Sequence, residues 1–369
     1  MTSRWAQHVE ERNAVARRSG RTRSLRPLSG RGPRFTEADG TGVVSFASND
    51  YLGLSQHPVV RAAAIRAIEE SGTGSGSARL IVGDRPVHHE LEAAIAEWKQ
   101  TDAALLFSTG FMANLGVLSA LAVAGTLIVS DELNHASIID GTRLARGTVR
   151  VSRHLDVDHV DALLSAHDGP AVVVSDTVFS MDGDTADLEG LGEVCAGRGA
   201  LLVLDDAHAV LGPTWCPPSG LDLVRVGTLS KTLGSLGGFV AASRPVIDLL
   251  VNGARSFIFT TGPTPADTAA ALAALSILRS AEGNELTTRL RSHVDRILTG
   301  HPSPIVPVII GSESDAMAAA HHLLVDHGLV VPAIRPPTVA EGTCRLRITV
   351  SSAHTADEVD RLAKALADL

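Results

Sequence analysis

The chain has 369 residues, a formal net charge of -9, 44% hydrophobic and 20% charged residues, a balance that excludes a disordered chain and suits a globular protein of about two folding units. No apolar run reaches the ~20 residues that span a bilayer, and Met1 to Gly40 is Arg-rich without the apolar stretch of a secretory leader, so a cytoplasmic protein with no membrane partner is expected. Cys195, Cys216 and Cys344 are an odd set without CxxC spacing; they predict buried, reduced thiols, with neither a disulfide framework nor a metal site.

Residues 1–45 read as an N-terminal arm carrying Arg4, Arg12, Arg17, Arg18, Arg21, Arg23, Arg26, Arg31 and Arg34, a charge run able to meet an anion. The acidic balance of the whole chain nevertheless argues against nucleic acid as a partner. Residues 46–245 alternate helical patterns with short apolar runs. Strands are predicted at Ala103 to Phe107, Thr126 to Val129, Thr148 to Ser152, Ala171 to Ser175, Leu201 to Leu204, Leu223 to Gly227 and Gly238 to Ala241. A helical pattern runs from His89 to Lys99, and those at Val157 to His167 and Leu188 to Arg198, lying between strands, have the length of right-handed crossovers. The expected fold is α/β, with a mostly parallel seven-stranded central sheet covered on both faces. From residue 246 to 369, helical patterns at Thr264 to Glu282, Glu285 to Leu298 and Ala356 to Leu369, with strand and helix elements between, predict a smaller C-terminal α/β domain.

Ligands of an open parallel sheet bind at the carboxyl ends of its strands. After the first strand, Ser108 to Met112 (STGFM) opens a helix, a geometry that holds a phosphate on free backbone N–H groups. The run Asp131 to Ile139 (DELNHASII) offers His135, to stack on a planar ligand or to cap a turn. Ser175 to Asp184 (SDTVFSMDGD) supplies Ser180, and the strand at Leu201 ends in Asp205-Asp206-Ala207-His208, a carboxylate and an imidazole at the sheet edge. Lysine occurs only at Lys99, Lys231 and Lys364. Lys99 and Lys364 lie in helical patterns where a surface lysine is ordinary, whereas Lys231 sits in the small-residue loop Thr228 to Gly238 (TLSKTLGSLGG). An amine, a carboxylate and a phosphate-holding helix start together compose a Schiff-base site for pyridoxal 5'-phosphate. By spacing alone a phosphate-binding α/β fold of another kind fits as well.

Taken in order with Asn49 to Leu54 (NDYLGL) and Gly72 to Gly83 (GTGSGSARLIVG), these segments resemble the motifs of the α-oxoamine synthases, fold-type I pyridoxal-phosphate enzymes, from about residue 20 to the C-terminus. The resemblance implies a role for each position. Lys231 would carry the cofactor as an imine and act as acid and base at the substrate Cα; Asp205 would pair with the pyridine nitrogen and His208 with the ring oxygen. Gly110 and Phe111 would hold the cofactor through backbone, Ser180 and Thr228 through hydroxyls, and His135 would stack on the ring. Arg335 would clamp the amino-acid carboxylate near Asn49 and Thr338, and Arg23, with Arg21 and Arg26 close by, would meet the acyl substrate. The resemblance also implies a homodimer with active sites at the interface, where Thr260 and Thr261 reach the partner's cofactor phosphate. The ending Ile334 to Val339 (IRPPTV), with Gly342-Thr343 and Arg345-Leu346-Arg347, is most similar to the members that join L-alanine to a pimeloyl thioester, on CoA or acyl carrier protein, with loss of CO2 in biotin biosynthesis. Sister reactions joining glycine to acetyl-CoA or succinyl-CoA, or serine to a long acyl group, share the same cofactor site. One departure stands out: Ala209 to Gly220 (AVLGPTWCPPSG) is shorter than the Gly- and Ser-rich stretch usual there, a change able to reshape substrate access.

Overall fold

The computed structural model describes residues 3–369; Met1 and Thr2 of the arm lie outside the described residues. Helix α1 (Arg4–Arg18), capped by the Ser3 hydroxyl, has no buried residue. Strands β1 (Ser29–Arg31), β2 (Arg34–Thr36) and β3 (Gly42–Ser45) then form an antiparallel meander.

Helices α2 (Pro58–Ser71) and α3 (Pro86–Lys99), each with proline in its first turn, lead into the main sheet. There β4 (Ala103–Phe107), α4 (Gly110–Leu121), β5 (Leu127–Asp131), α5 (Ala136–Leu144), β6 (Thr148–Ser152), α6 (Val157–Ser165), β7 (Ala171–Asp176), α7 (Leu188–Arg198), β8 (Leu201–Asp205), β9 (Leu223–Thr228) and β10 (Gly238–Ala242) follow one another. All seven expected strands are present, in the spatial order β4-β10-β9-β8-β7-β5-β6. Strands β5 to β9 run parallel, and β10 is antiparallel to both β4 and β9. Every residue of β4, β5 and β10 is buried, as the apolar runs of β4, β10 and the first three residues of β5 require when helices cover both faces.

Strands β9 and β10 are joined by an arch, Leu229 to Gly237, tied at its base by the Leu229 N–H donating to Gly237 O at 2.9 Å. At its crown the Gly234 N–H donates to Lys231 O at 2.9 Å, and Gly234 holds φ +59°, a turn that a side chain would drive into the Ser55 backbone.

The C-terminal part comprises α8 (Arg244–Gly253), α9 (Arg255–Ile258), α10 (Pro265–Leu278), α11 (Ala281–Ile297), β11 (Ile305–Gly311), α12 (Glu313–His327), β12 (Leu329–Val330), β13 (Ala333–Ile334), β14 (Cys344–Thr349) and α13 (Ala356–Ala367). The single helix expected over Thr264 to Glu282 breaks after Leu278, because the Ser280 side chain accepts from the Gly283 N–H and caps a new helix. Strands β11, β14 and β13 form an antiparallel sheet, and β12 pairs in parallel with β3, which builds the arm's meander into one sheet with a C-terminal strand. A shared apolar cluster joins Phe46, Tyr51 and Leu54 to Ala271, Leu290, Ile348 and Leu362, each large side chain contributing about 1.5–3 kcal/mol by burial.

Two expectations fail. Lys99 is not an ordinary surface lysine: its side chain is only partly exposed, with the ammonium 2.8 Å from the Asp206 carboxylate and 4.1 Å from the Trp98 ring centroid. Cys195 and Cys344 are buried, but Cys216 is exposed, because its neighbours Trp215 and Pro218 take the packing positions against Gly192.

Candidate active site

The carboxyl ends of β7 and β8 place two buried carboxylates side by side. Asp205 accepts from Asn114 Nδ2 at 2.7 Å on Oδ2 and from the Ala207 N–H at 3.0 Å on Oδ1. Its register partner on the neighbouring strand, Asp176, accepts from the His135 N–H at 2.7 Å. Burial first, then the charge of Asp205, pushes the Asp176 carboxyl well above the usual carboxylate range.

Two imidazoles face these groups. His135 is the N-cap of α5; its Nδ1 accepts from the Ser137 N–H at 3.2 Å and lies 2.7 Å from Ser137 Oγ, which assigns the ring proton to Nε2. His208 is buried with Nδ1 2.6 Å from the Tyr51 hydroxyl. Burial lowers both imidazole pKa values, and for His208 the positive charges of Lys231 and Arg347 lower it further, so both rings are neutral at neutral pH.

Lys231, carried on the arch between β9 and β10, points into this cluster. Burial depresses its ammonium below the ordinary lysine value, the charge of Arg347 adds to this, and Asp205 and Asp176 oppose it. Arg347 comes from β14: its Nε donates to Ser180 O, and Nη1 and Nη2 lie 3.4 and 3.3 Å from Asn49 Oδ1.

Beside the cluster α4 begins. Thr109 caps it by accepting from the Met112 N–H at 3.1 Å, leaving the first-turn N–H groups of Gly110 and Phe111 without partners inside the helix. A Cβ on Gly110 would collide with Thr228 Cγ2, and one on Gly238 would lie 2.5 Å from Gly110 N, so the helix start rests directly on β9 and β10. Thr228 Oγ1 is buried with no partner among the described residues. Free N–H groups and an orphaned hydroxyl fit a phosphate, and the adjoining carboxylate, amine and imidazoles fit a pyridine ring carrying a carbonyl. Ser108 Oγ donates to Thr261 O at 3.0 Å, which brings exposed Thr261 and half-buried Thr260 to the same edge.

The sequence-predicted residues Lys231, Asp205, His208, His135, Ser180, Asn49, Thr228, Gly110 and Phe111 thus meet at one edge of the sheet. Three others stand elsewhere. Arg335 does not clamp at Asn49: its Nη1 is 2.7 Å from Glu313 Oε1 and donates to Gly20 O at 2.9 Å. The reason is local, since β13 stops at Ile334 and the following turn carries Arg335 toward α12, leaving the place beside Asn49 to Arg347. Thr338 is exposed in that same turn, its N–H donating to Arg335 O. Arg23 lines a groove between the arm and α12 with Arg21, Arg26, His321 and Arg335. Arg21 and Arg335 are paired with Glu313, and Arg26 with Glu37. Arg23 has no carboxylate partner among the described residues.

Tyr51, Asp176 and Arg347 fall in segments the sequence reading quoted but were given no role there, and Asn114 was not singled out. Tyr51 carried a signal, being the chain's single tyrosine, and Arg347 alternates with apolar residues in a strand pattern that hides an arginine. Nothing in the sequence marks Asn114, one turn into a helix.

The model of the family described as aminotransferase class I and II matches residues 41–366. An 8-amino-7-oxononanoate synthase of Methylobacterium nodulans is 45% identical over 98% of this chain and 96% of its own. One from Alkalilimnicola ehrlichii is also 45% identical, over 97% and 96%. Among solved structures, serine palmitoyltransferase from S. paucimobilis overlays with TM-score 0.89 at 28% identity, covering 97% of this chain and 95% of its own. An 8-amino-7-oxononanoate synthase from Francisella tularensis overlays with TM-score 0.75 at 25% identity, covering 88% and 96%.

Proposed function

The chain belongs to the aminotransferase class I and II family, as a fold-type I pyridoxal-phosphate-dependent acyltransferase of the 8-amino-7-oxononanoate synthase group, and on that footing we propose how its own residues perform the reaction. The reaction is the decarboxylative condensation of L-alanine with a pimeloyl thioester to 8-amino-7-oxononanoate, CO2 and free thiol, in biotin biosynthesis. The closer backbone overlay with serine palmitoyltransferase reflects a shared fold, which does not set specificity. The 45% identity over nearly the whole chain supports alanine and pimeloyl.

When bound, pyridoxal phosphate supplies a carbonyl carbon for exchange of amines and a ring that takes up the electron pair released at Cα. Asp205, oriented by Asn114 and the Ala207 N–H, would pair with the ring nitrogen and favour its protonated form. His208, steadied by Tyr51, would pair with the ring oxygen, and Gly110, Phe111, Thr228 and Ser180 would hold the phosphate and ring, with Thr260 and Thr261 serving the partner subunit. Arg347, with Asn49, receives the carboxylate of L-alanine as a paired donor. The Lys231 amine, whose hold on a proton burial weakens, takes the Cα proton. Cα then bonds to the thioester carbonyl carbon, with the Nε2 proton of His135 at hand for the oxygen, and the C–S bond breaks to release the thiol. Loss of the carboxylate as CO2 leaves its electron pair at Cα, where Lys231 returns the proton.

The observation that carries this assignment is the convergence of the Lys231 amine with Asp205 and two neutral imidazoles beside the α4 start. Arg23, the groove arginine without a carboxylate, is the proposed contact for the acyl substrate on CoA or acyl carrier protein. A homodimer with its sites at the interface is supported by exposed Leu80, Ile81, Val82, Phe111 and Phe259 near the site, and a cytoplasmic setting by three unpaired thiols. The test is the visible absorption of the protein with pyridoxal phosphate, titrated with L-alanine, glycine and L-serine. A cofactor band that responds best to L-alanine and is missing in Lys231→Ala is expected; a best response to glycine would overturn the amino-acid assignment, and no band would overturn the site.

A further inference from the structure

We propose that Lys99 and Arg225 are positioning residues for Asp205, acting through the ion cluster they form on Asp206; the inference rests on the reading that Asp205 faces the cofactor's ring nitrogen. Successive residues of an extended strand point to opposite faces. Asp205 accordingly turns to Asn114 of α4, and Asp206 to the face on which α3 packs. There Asp206 Oδ2 accepts from Lys99 Nζ at 2.8 Å and Arg225 Nη1 at 2.9 Å, while Oδ1 accepts from Thr177 Oγ1 at 2.7 Å. Burial alone would raise this carboxyl, but the charges of Lys99 and Arg225 overcome it and hold it at about 2, so Asp206 is ionised at neutral pH.

A desolvated ion cluster returns little net stability, because the cost of stripping water from three charges offsets their attraction. Its geometric effect is larger. The three donors come from α3, β9 and the end of β7, and the main chain is gripped at the same place: the Thr177 N–H donates to Asp205 O at 2.9 Å and the Asp206 N–H to Val226 O at 2.8 Å. The peptide joining Asp205 to Asp206 therefore has both its side-chain neighbour and its backbone fixed, which sets the aim of the Asp205 carboxylate. Lys99 is itself held, its ammonium 4.1 Å from the Trp98 centroid and 5.9 Å from that of Phe239. One of only three lysines in the chain is spent on this contact.

Lys99→Met, Lys99→Arg and Thr177→Val would be compared with the parent for pyridoxal phosphate dissociation constant, the pH midpoint of the cofactor's visible band, melting temperature, and kcat and KM for L-alanine. Lys99→Met is expected to weaken cofactor binding and lower kcat by about tenfold each, as a small misplacement does, to move the band's pH midpoint, and to leave KM for L-alanine within about twofold. Lys99→Arg should recover most of the loss, and Thr177→Val should move the same quantities less. Wild-type cofactor affinity, midpoint and kcat in Lys99→Met, whatever its melting temperature, would overturn the proposal, as would an equal loss in Lys99→Arg. If Lys99→Met does not fold, an unchanged Thr177→Val decides against it. A parent enzyme without a cofactor band would instead bring down the reading of the site, so the two failures are told apart.

Discussion

His154 offers a direct measure of the electrostatics around the site. Its Nδ1 lies 2.9 Å from Asp131 Oδ1 and its Nε2 2.8 Å from Asp184 Oδ2, with the ring edge-on to Phe179 at 4.4 Å between centroids. Asp131 also accepts from the Leu133 and Leu155 N–H groups, and Asp184 closes the turn that carries Ser180, so this imidazole ties the His135 loop to the Ser180 turn. Burial alone would lower its pKa, but hydrogen bonds and charge from the two carboxylates overcome that and raise it to about 10. Because the folded value lies above the unfolded one of about 6.5, the stabilisation is fully present below pH ~6.5 and is lost as pH rises through about 10. The gap corresponds to at most about 5 kcal/mol, and solvent screening of this partly exposed group reduces it to about 1–2 kcal/mol. Urea unfolding of the parent and His154→Gln at pH 6, 8 and 10 reads it: the parent's advantage should be largest at pH 6 and shrink by about that amount by pH 10. An advantage constant across the range, or growing with pH, would refute a charged His154.

Arg347→Lys, which loses the paired donors beside Asn49, should raise KM for L-alanine about tenfold or more, whereas Arg335→Ala should leave it within about threefold; steady-state kinetics separate the two arginines. Tyr51→Phe leaves His208 Nδ1 buried without its partner, a cost of about 1–3 kcal/mol visible in denaturant midpoint and in a lower kcat. Gly110→Ala drives a methyl group against Thr228 and should weaken pyridoxal phosphate binding, measured by equilibrium titration of the visible band.

The parallel core was legible because buried strands carry unbroken apolar runs such as Ala103 to Phe107 and Ala171 to Val174, and because candidate site residues sit just beyond such runs. The break between α10 and α11 was not, since one serine capping a helix is indistinguishable in sequence from a helical serine. Arginine posed the harder problem. Arg335, Arg345 and Arg347 lie in the one short stretch from 335 to 347, yet pair with Glu313, Asp182 and Asn49 respectively, and those partners come from separate parts of the chain. Lys99 was misread for the same reason: its carboxylate lies 107 positions away, across the sheet.

The antiparallel strand β10 has one more consequence. Gly110, His135 and Asp205 stand where strands enter crossovers, but Lys231 stands on a span of nine residues whose two feet are neighbouring strands, hydrogen-bonded to each other from Thr228 and Gly238 downward. So short a closure leaves little conformational freedom to the backbone beneath the lysine. In the role proposed for Lys231, the reach its amine needs is then supplied by its four methylenes alone, a flexible tether on a stationary bridgehead, and repeated turnover need not bend the main chain.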